Sequence, residues 1–78
     1  MHMKELLEYI AKSLVEFPDE VYVTESDNDK TLVLELHVKD SDMGKVIGKQ
    51  GRIAKSIRSV MKAASSRINK RVIVEIVQ

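Results

Sequence analysis

The run KVIGKQGRIAKSI, residues 45–57, sets four cations, Lys45, Lys49, Arg52 and Lys55, around two glycines separated only by Lys49 and Gln50. Branched apolar residues on both sides give the flanks helical spacing, so the glycines stand where two helices meet. Glycine serves where backbone must turn sharply or lie close against another body, and the question is what comes close here. A helix ending at Gly48 and another beginning near Gly51 leave a tight connection. Its free amides should belong to the start of the second helix, where partial positive charge favours phosphate. With no side chain on Gly48 or Gly51, a phosphodiester can touch the main chain. Lys49 adds charge, Gln50 can hydrogen-bond, and Lys45, Arg52 and Lys55 extend the positive field.

Downstream, Ile53, Ile57, Val60, Met61, Ala64 and Ile68 form one apolar stripe, with Lys55, Arg58, Ser59 and Lys62 largely opposite, so an amphipathic helix starts at Arg52. "INKR" (68–71) is the turn out, and "VIVEIV" (72–77) a last strand with Val72, Val74 and Ile76 facing one way. Upstream, "KDSD" (39–42) is a helix-start signature with early negative charge, followed by a short apolar segment, Met43 to Ile47. "TLVLELHVK" (31–39) alternates, placing Leu32, Leu34, Leu36 and Val38 on one face, and "EVYVTE" (20–25) sets Val21 and Val23 together. "SDNDK" (26–30) between them is a turn by composition, so the two runs predict a hairpin. Leu6, Leu7, Ile10, Leu14 and Val15 recur at helical spacing, predicting a helix from residue 4 to about 16 that Pro18 and Asp19 close.

The order helix, strand, strand, short helix, longer helix, strand (α-β-β-α-α-β) predicts an α+β fold: a three-stranded mixed sheet with three helices packed on one face. A strand that returns to the sheet through two helices has room for a parallel crossover. Residues 1–78 read as one domain, with Met1 and His2 expected to be a disordered or added start ahead of Met3. The sheet's second face, with Tyr22, Val33, Glu35, His37, Ile73, Glu75 and Val77, is mixed in character and is either solvated or a partner surface.

At this length folding hides only roughly 60–65% of the surface of the unfolded chain, which argues against a large enclosed active site. With no cysteine, neither a disulfide framework nor a thiolate zinc site is available, which suits a reducing, cytoplasmic setting. No apolar run approaches the about 20 residues that cross a bilayer, and no secretory signal is visible at the start. The net charge of +1 conceals a sharp division. Residues 1–43 hold 4 Lys against 11 Asp or Glu, a net of −7, while residues 44–78 hold 9 Lys or Arg against Glu75 alone, a net of +8. If the basic half gathers in space it attracts a polyanion, and the acidic half turns that polyanion away from the wrong face.

Catalysis finds no support. "GKVIGKQG" (44–51) is too short for a nucleotide phosphate loop, and neither Ser nor Thr follows Lys49 to hold magnesium. "DNDKT" (27–31) begins like a calcium loop but lacks the required glycine. His2 and His37 are isolated, and no serine sits in a nucleophile elbow. No cofactor is expected. Tyr9, Phe17 and Tyr22 are the only aromatic residues and lie far from the glycines, against a base-stacking platform.

"VIGKQGRIAKSI" (46–57) resembles the GXXG signature of KH domains, in which such a loop joins two helices and clamps the backbone of about four nucleotides. The extra helix and strand ahead of the core strand look like the type II KH arrangement. In size, in its lone KH unit and in "IGKQGRIAKSIR" (47–58), the chain is similar to the bacterial single-KH RNA-binding family known as KhpA, from Met3 onward. The resemblance implies a clamp at Gly48, Lys49, Gln50 and Gly51, with Val46 and Ile47 in the apolar helix that helps wall a base-binding groove. Many KH domains carry a larger aliphatic residue three positions after the second glycine, where this chain has Ala54. It implies, too, a non-catalytic protein for single-stranded RNA, an RNA chaperone or post-transcriptional regulator. Such proteins resemble self-associating homodimers and partners of a larger RNA-binding, KhpB-like protein. The other reading is a protein–protein scaffold or oligomerisation module to which RNA binding is incidental. A membrane role is disfavoured, because the apolar stripe of the basic helix is needed for the core.

Overall fold

Alternation in residues 31–38 becomes the central strand of the sheet. In the computed structural model, which describes residues 2–77, β1 (Tyr22–Asp27) and β2 (Thr31–His37) pair antiparallel with Tyr22 opposite His37. β3 (Arg71–Val77) lies parallel on the other side of β2 with Leu34 opposite Val74, so the sheet is mixed and ordered β1-β2-β3. The hairpin turn is made by Asn28, whose side-chain oxygen accepts the amides of Lys30 at 3.0 Å and Thr31 at 2.8 Å, the local bonding for which Asn is favoured in turns. The start of β3 is tied to this tip. The Arg71 amide donates to the Lys30 carbonyl at 2.9 Å, and Lys70 forms an ion pair with Asp27.

Three helices pack on one face: α1 (Met3–Leu14), α2 (Met43–Ile47) and α3 (Arg52–Ala64). Leu7 of α1, Val46 of α2, Met61 of α3, and Leu34 and Leu36 of β2 are fully buried in one cluster with Val21, Val23, Leu32, Ile57 and Val74. Removing each large side chain from water contributes about 1.5–3 kcal/mol. Among the described residues, the opposite sheet face carries no helix. There Tyr22 stacks on His37 with ring centroids 4.3 Å apart, and the Thr24 hydroxyl donates to Glu35 at 2.9 Å.

Three expectations are corrected in detail. α1 ends at Leu14, not near residue 16, and Val15 is already extended. Phe17 precedes Pro18, a position that disfavours helix, and the amides of Glu16 and Phe17 turn instead to the buried Asp42 carboxylate at 3.1 and 3.0 Å. For the same reason Asp42 does not cap the helix that follows it: its oxygens are engaged with the chain beyond α1. The buried stripe of α3 is Ala54, Ile57 and Met61, continued by Ser65, while Val60 (49% exposed), Ala64 and Ile68 face outward. Of the first two residues, His2 takes the N-cap of α1, its carbonyl accepting the Leu6 amide at 3.0 Å, and Met1 lies outside the described residues.

Candidate nucleic-acid interface

α2 stops at Ile47, and the chain then passes through three positive φ angles within four residues: Gly48 (φ 76, ψ 175), Gln50 (φ 58) and Gly51 (φ 74, ψ 14). The two glycines are required for different reasons. A β-carbon on Gly48 would fall 2.5 Å from Ile53 Cγ1, so what approaches that backbone is the chain itself. Gly51 faces open space and is needed for its left-handed conformation alone.

The free donors are not those expected. The Gly48 amide donates to Gly44 O, that of Gly51 to Gly48 O, and that of Arg52 to Lys49 O. The start of α3 is thereby largely satisfied. Among the described residues, the amides of Lys49 and Gln50 at the exposed tip have no backbone partner. The Gln50 side chain is held by Arg52, whose Nη2 donates to Oε1 at 3.2 Å.

Of the sequence-predicted residues, Lys49, Gln50, Arg52 and Lys55 are exposed around the turn, and among the described residues none of those three cations forms an ion pair. Lys45 is turned away. Its ammonium pairs with Glu16 at 3.3 Å and Asp42 at 3.5 Å. The hydrogen bond to Glu16, ahead of the opposing effect of burial and the attraction of both carboxylates, raises its pKa above the usual lysine value. Burial works to raise the pKa of Asp42, but the amides of Glu16 and Phe17 and the Lys45 charge outweigh it and hold the carboxyl below the usual range. Val46 is fully buried and Ile47 half-buried, so Val46 supports the turn from beneath without reaching its surface.

From Gly51, α3 runs back to the start of β3, and a cleft opens between them, lined by Arg58, Lys62, Ile68, Arg71 and Val74. Arg58 lies across it, its Nε donating to the Val74 carbonyl at 3.1 Å. The profile of the KhpA/KhpB KH domain matches residues 4–76. This chain belongs to that family. Curated relatives of this KH domain include proteins named RNA-binding protein KhpA from Clostridium acetobutylicum, 64% identical over 96% of the chain and all of the relative, and from Clostridium perfringens, 60% identical with the same coverage. A third, from Aquifex aeolicus, is 47% identical over 97% of the chain and 96% of its own length. Among solved structures, the KH domain is similar in fold to part of Era. One match is Era in complex with MgGDPNP and nucleotides 1506–1542 of 16S ribosomal RNA, with TM-score 0.66, 22% identity, 95% of this chain and 28% of that one. Aquifex aeolicus Era Y63A bound to GDP.AlF4− gives TM-score 0.67 and 21% identity over 96% of this chain and 30% of its own. The KH domain spans under a third of either Era chain, and the likeness concerns the fold.

The cations that line the cleft of the KH domain, Arg58, Lys62, Lys70 and Arg71, were not among the predicted site residues. Helical periodicity placed the first two on a solvated face and composition put Lys70 and Arg71 in a turn; only the surplus of positive charge after residue 43 signalled them.

Proposed function

We propose that this KH domain is a non-catalytic binder of single-stranded RNA, with phosphates held at the Gly48–Gly51 turn and the strand lying in the cleft between α3 and β3. What carries the reading is the turn itself: two amides without internal partners, a neighbouring lysine free of any counter-charge among the described residues, and a left-handed Gly51 with open space before it. The relatives named RNA-binding protein KhpA support it, and the helix and strand ahead of β2 fit the type II arrangement. The proposed sites are Gly48, Lys49, Gln50, Gly51, Arg52 and Lys55, with Ile47 at the rim and Val46 beneath it. A role as RNA chaperone or post-transcriptional regulator in the bacterial cytoplasm is part of this proposal, and rests on the family resemblance. So small a contact gains avidity from a second copy or a larger RNA-binding partner.

Replacing Lys49 and Gln50 together by Asp tests this. The fold should persist, because both side chains are solvated, and affinity for short oligoribonucleotides should fall strongly at matched salt. Unchanged affinity refutes the clamp. The scaffold reading is favoured by one observation, the helix-free sheet face with the stacked Tyr22–His37 pair. A stable oligomer in sedimentation with no RNA affinity would select it.

A further inference from the structure

We infer that Arg58 makes the cleft indifferent to base identity, by occupying a strand-edge carbonyl that a base would otherwise use; the inference rests on the RNA-binding reading above. β3 pairs with β2 on one side only, and its other edge borders the cleft. The edge of a sheet presents main-chain donors and acceptors without strand partners, and single-stranded bases are read through hydrogen bonds on their exposed edges. A bare carbonyl on such an edge discriminates. It accepts from the exocyclic amine of adenine or cytosine. The uracil N–H is a poorer match, because the ring carbonyls on both sides of it face the same acceptor and are repelled.

In this chain that acceptor is taken. The Arg58 Nε donates to the Val74 carbonyl, so the cleft meets a guanidinium in its place. A guanidinium offers donors only, and every base, like every phosphate, carries acceptors. Lys62 lines the same cleft but, among the described residues, forms no hydrogen bond to Val74, so it supplies charge without this masking.

The test measures binding of hexamers of adenylate, cytidylate and uridylate at one salt concentration to the full chain, to Arg58→Ala, to Arg58→Met, which retains side-chain bulk without a donor, and to Lys62→Ala. The unaltered protein should bind the three hexamers within about threefold of one another. Both Arg58 variants should bind all three more weakly yet favour adenylate and cytidylate over uridylate by about five- to tenfold, roughly what one hydrogen bond confers. Lys62→Ala should weaken all three equally. Arg58 variants that keep the ratios of the unaltered protein overturn the assignment while leaving RNA binding in place, and so does strong selectivity in the unaltered protein. Failure of the unaltered protein to bind any hexamer overturns the RNA reading together with this one.

Discussion

Ile53 fills the space that a β-carbon on Gly48 would need, its Cγ1 2.5 Å and its Cβ and Cδ1 2.9 Å from that position. The first glycine of the turn is thus fixed by packing within the chain, and the second, Gly51, by backbone angle alone. Gly48→Ala should cost roughly 3–5 kcal/mol, combining backbone strain with overpacking, and Gly51→Ala about 1–2 kcal/mol. Urea unfolding reads both. Trimming Ile53 to Ala in the Gly48→Ala background should recover part of the loss, a coupling of about 1–2 kcal/mol. Equal costs at the two glycines would contradict this division.

Lys45 and Lys49 are four residues apart and should behave oppositely toward RNA. Neutralising a phosphate with a lysine contributes about −0.7 to the slope of log affinity against log salt for a single strand. Lys49→Ala and Lys55→Ala should each flatten that slope by about 0.7. Lys45→Ala should leave it unchanged and lower thermal stability, because its ammonium is engaged by Glu16 and Asp42. A salt titration of the three variants reads the difference.

The Asp42 carboxylate joins the segment after α1 to the start of α2. Its pKa is lowered in the folded chain, with the Glu16 and Phe17 amides and Lys45 overcoming the effect of burial. The stability it contributes is therefore complete above the unfolded value of about 3.9 and is lost as pH falls through the lowered folded value. Lys45, raised in the folded chain chiefly by its hydrogen bond to Glu16, contributes stability that is complete below about 10.4 and is lost as pH rises through its raised value. Asp42→Asn should lower Tm at pH 7 by roughly 5–10 °C. Its melting temperature should converge with that of the unaltered protein as pH falls below about 4. Parallel curves across that interval would remove Asp42 from the acid transition.

The two sheet faces should respond differently to truncation. Leu34→Ala, in the fully buried centre of β2, should cost about 2–5 kcal/mol. Tyr22→Ala, on the helix-free face and 53% exposed, should cost no more than about 1 kcal/mol. Denaturant midpoints measure both.

Most of the fold was legible because its signals are local and periodic. The alternation of Leu32, Leu34 and Leu36 survives as the buried face of β2, and the glycine pair lies where α2 ends and α3 begins. What escaped is tertiary. Nothing near Asp42 in sequence says that the amides it accepts from lie 25 and 26 residues back in the chain, and α3 is rolled so that Ala54 enters the core while Ile53 covers Gly48. The charge of Lys45 was legible, but not its partners. Within the turn, sequence spacing located the glycines correctly and misplaced the free amides, since those of Gly51 and Arg52 fold back on Gly48 and Lys49.

The parallel pairing of β3 with β2 has a consequence for the order in which the molecule comes into being. A chain growing on the ribosome completes the hairpin, α2, the glycine turn and α3 before residues 71–77 are made. Until those residues clear the exit tunnel, β2 has one bare edge and α3 faces no opposing wall. Joining β2 to β3 closes a long loop, a step that must wait until α2, the glycine turn and α3 have all been made. Before residues 71–77 are in place, the chain has no groove between α3 and β3 to offer any ligand.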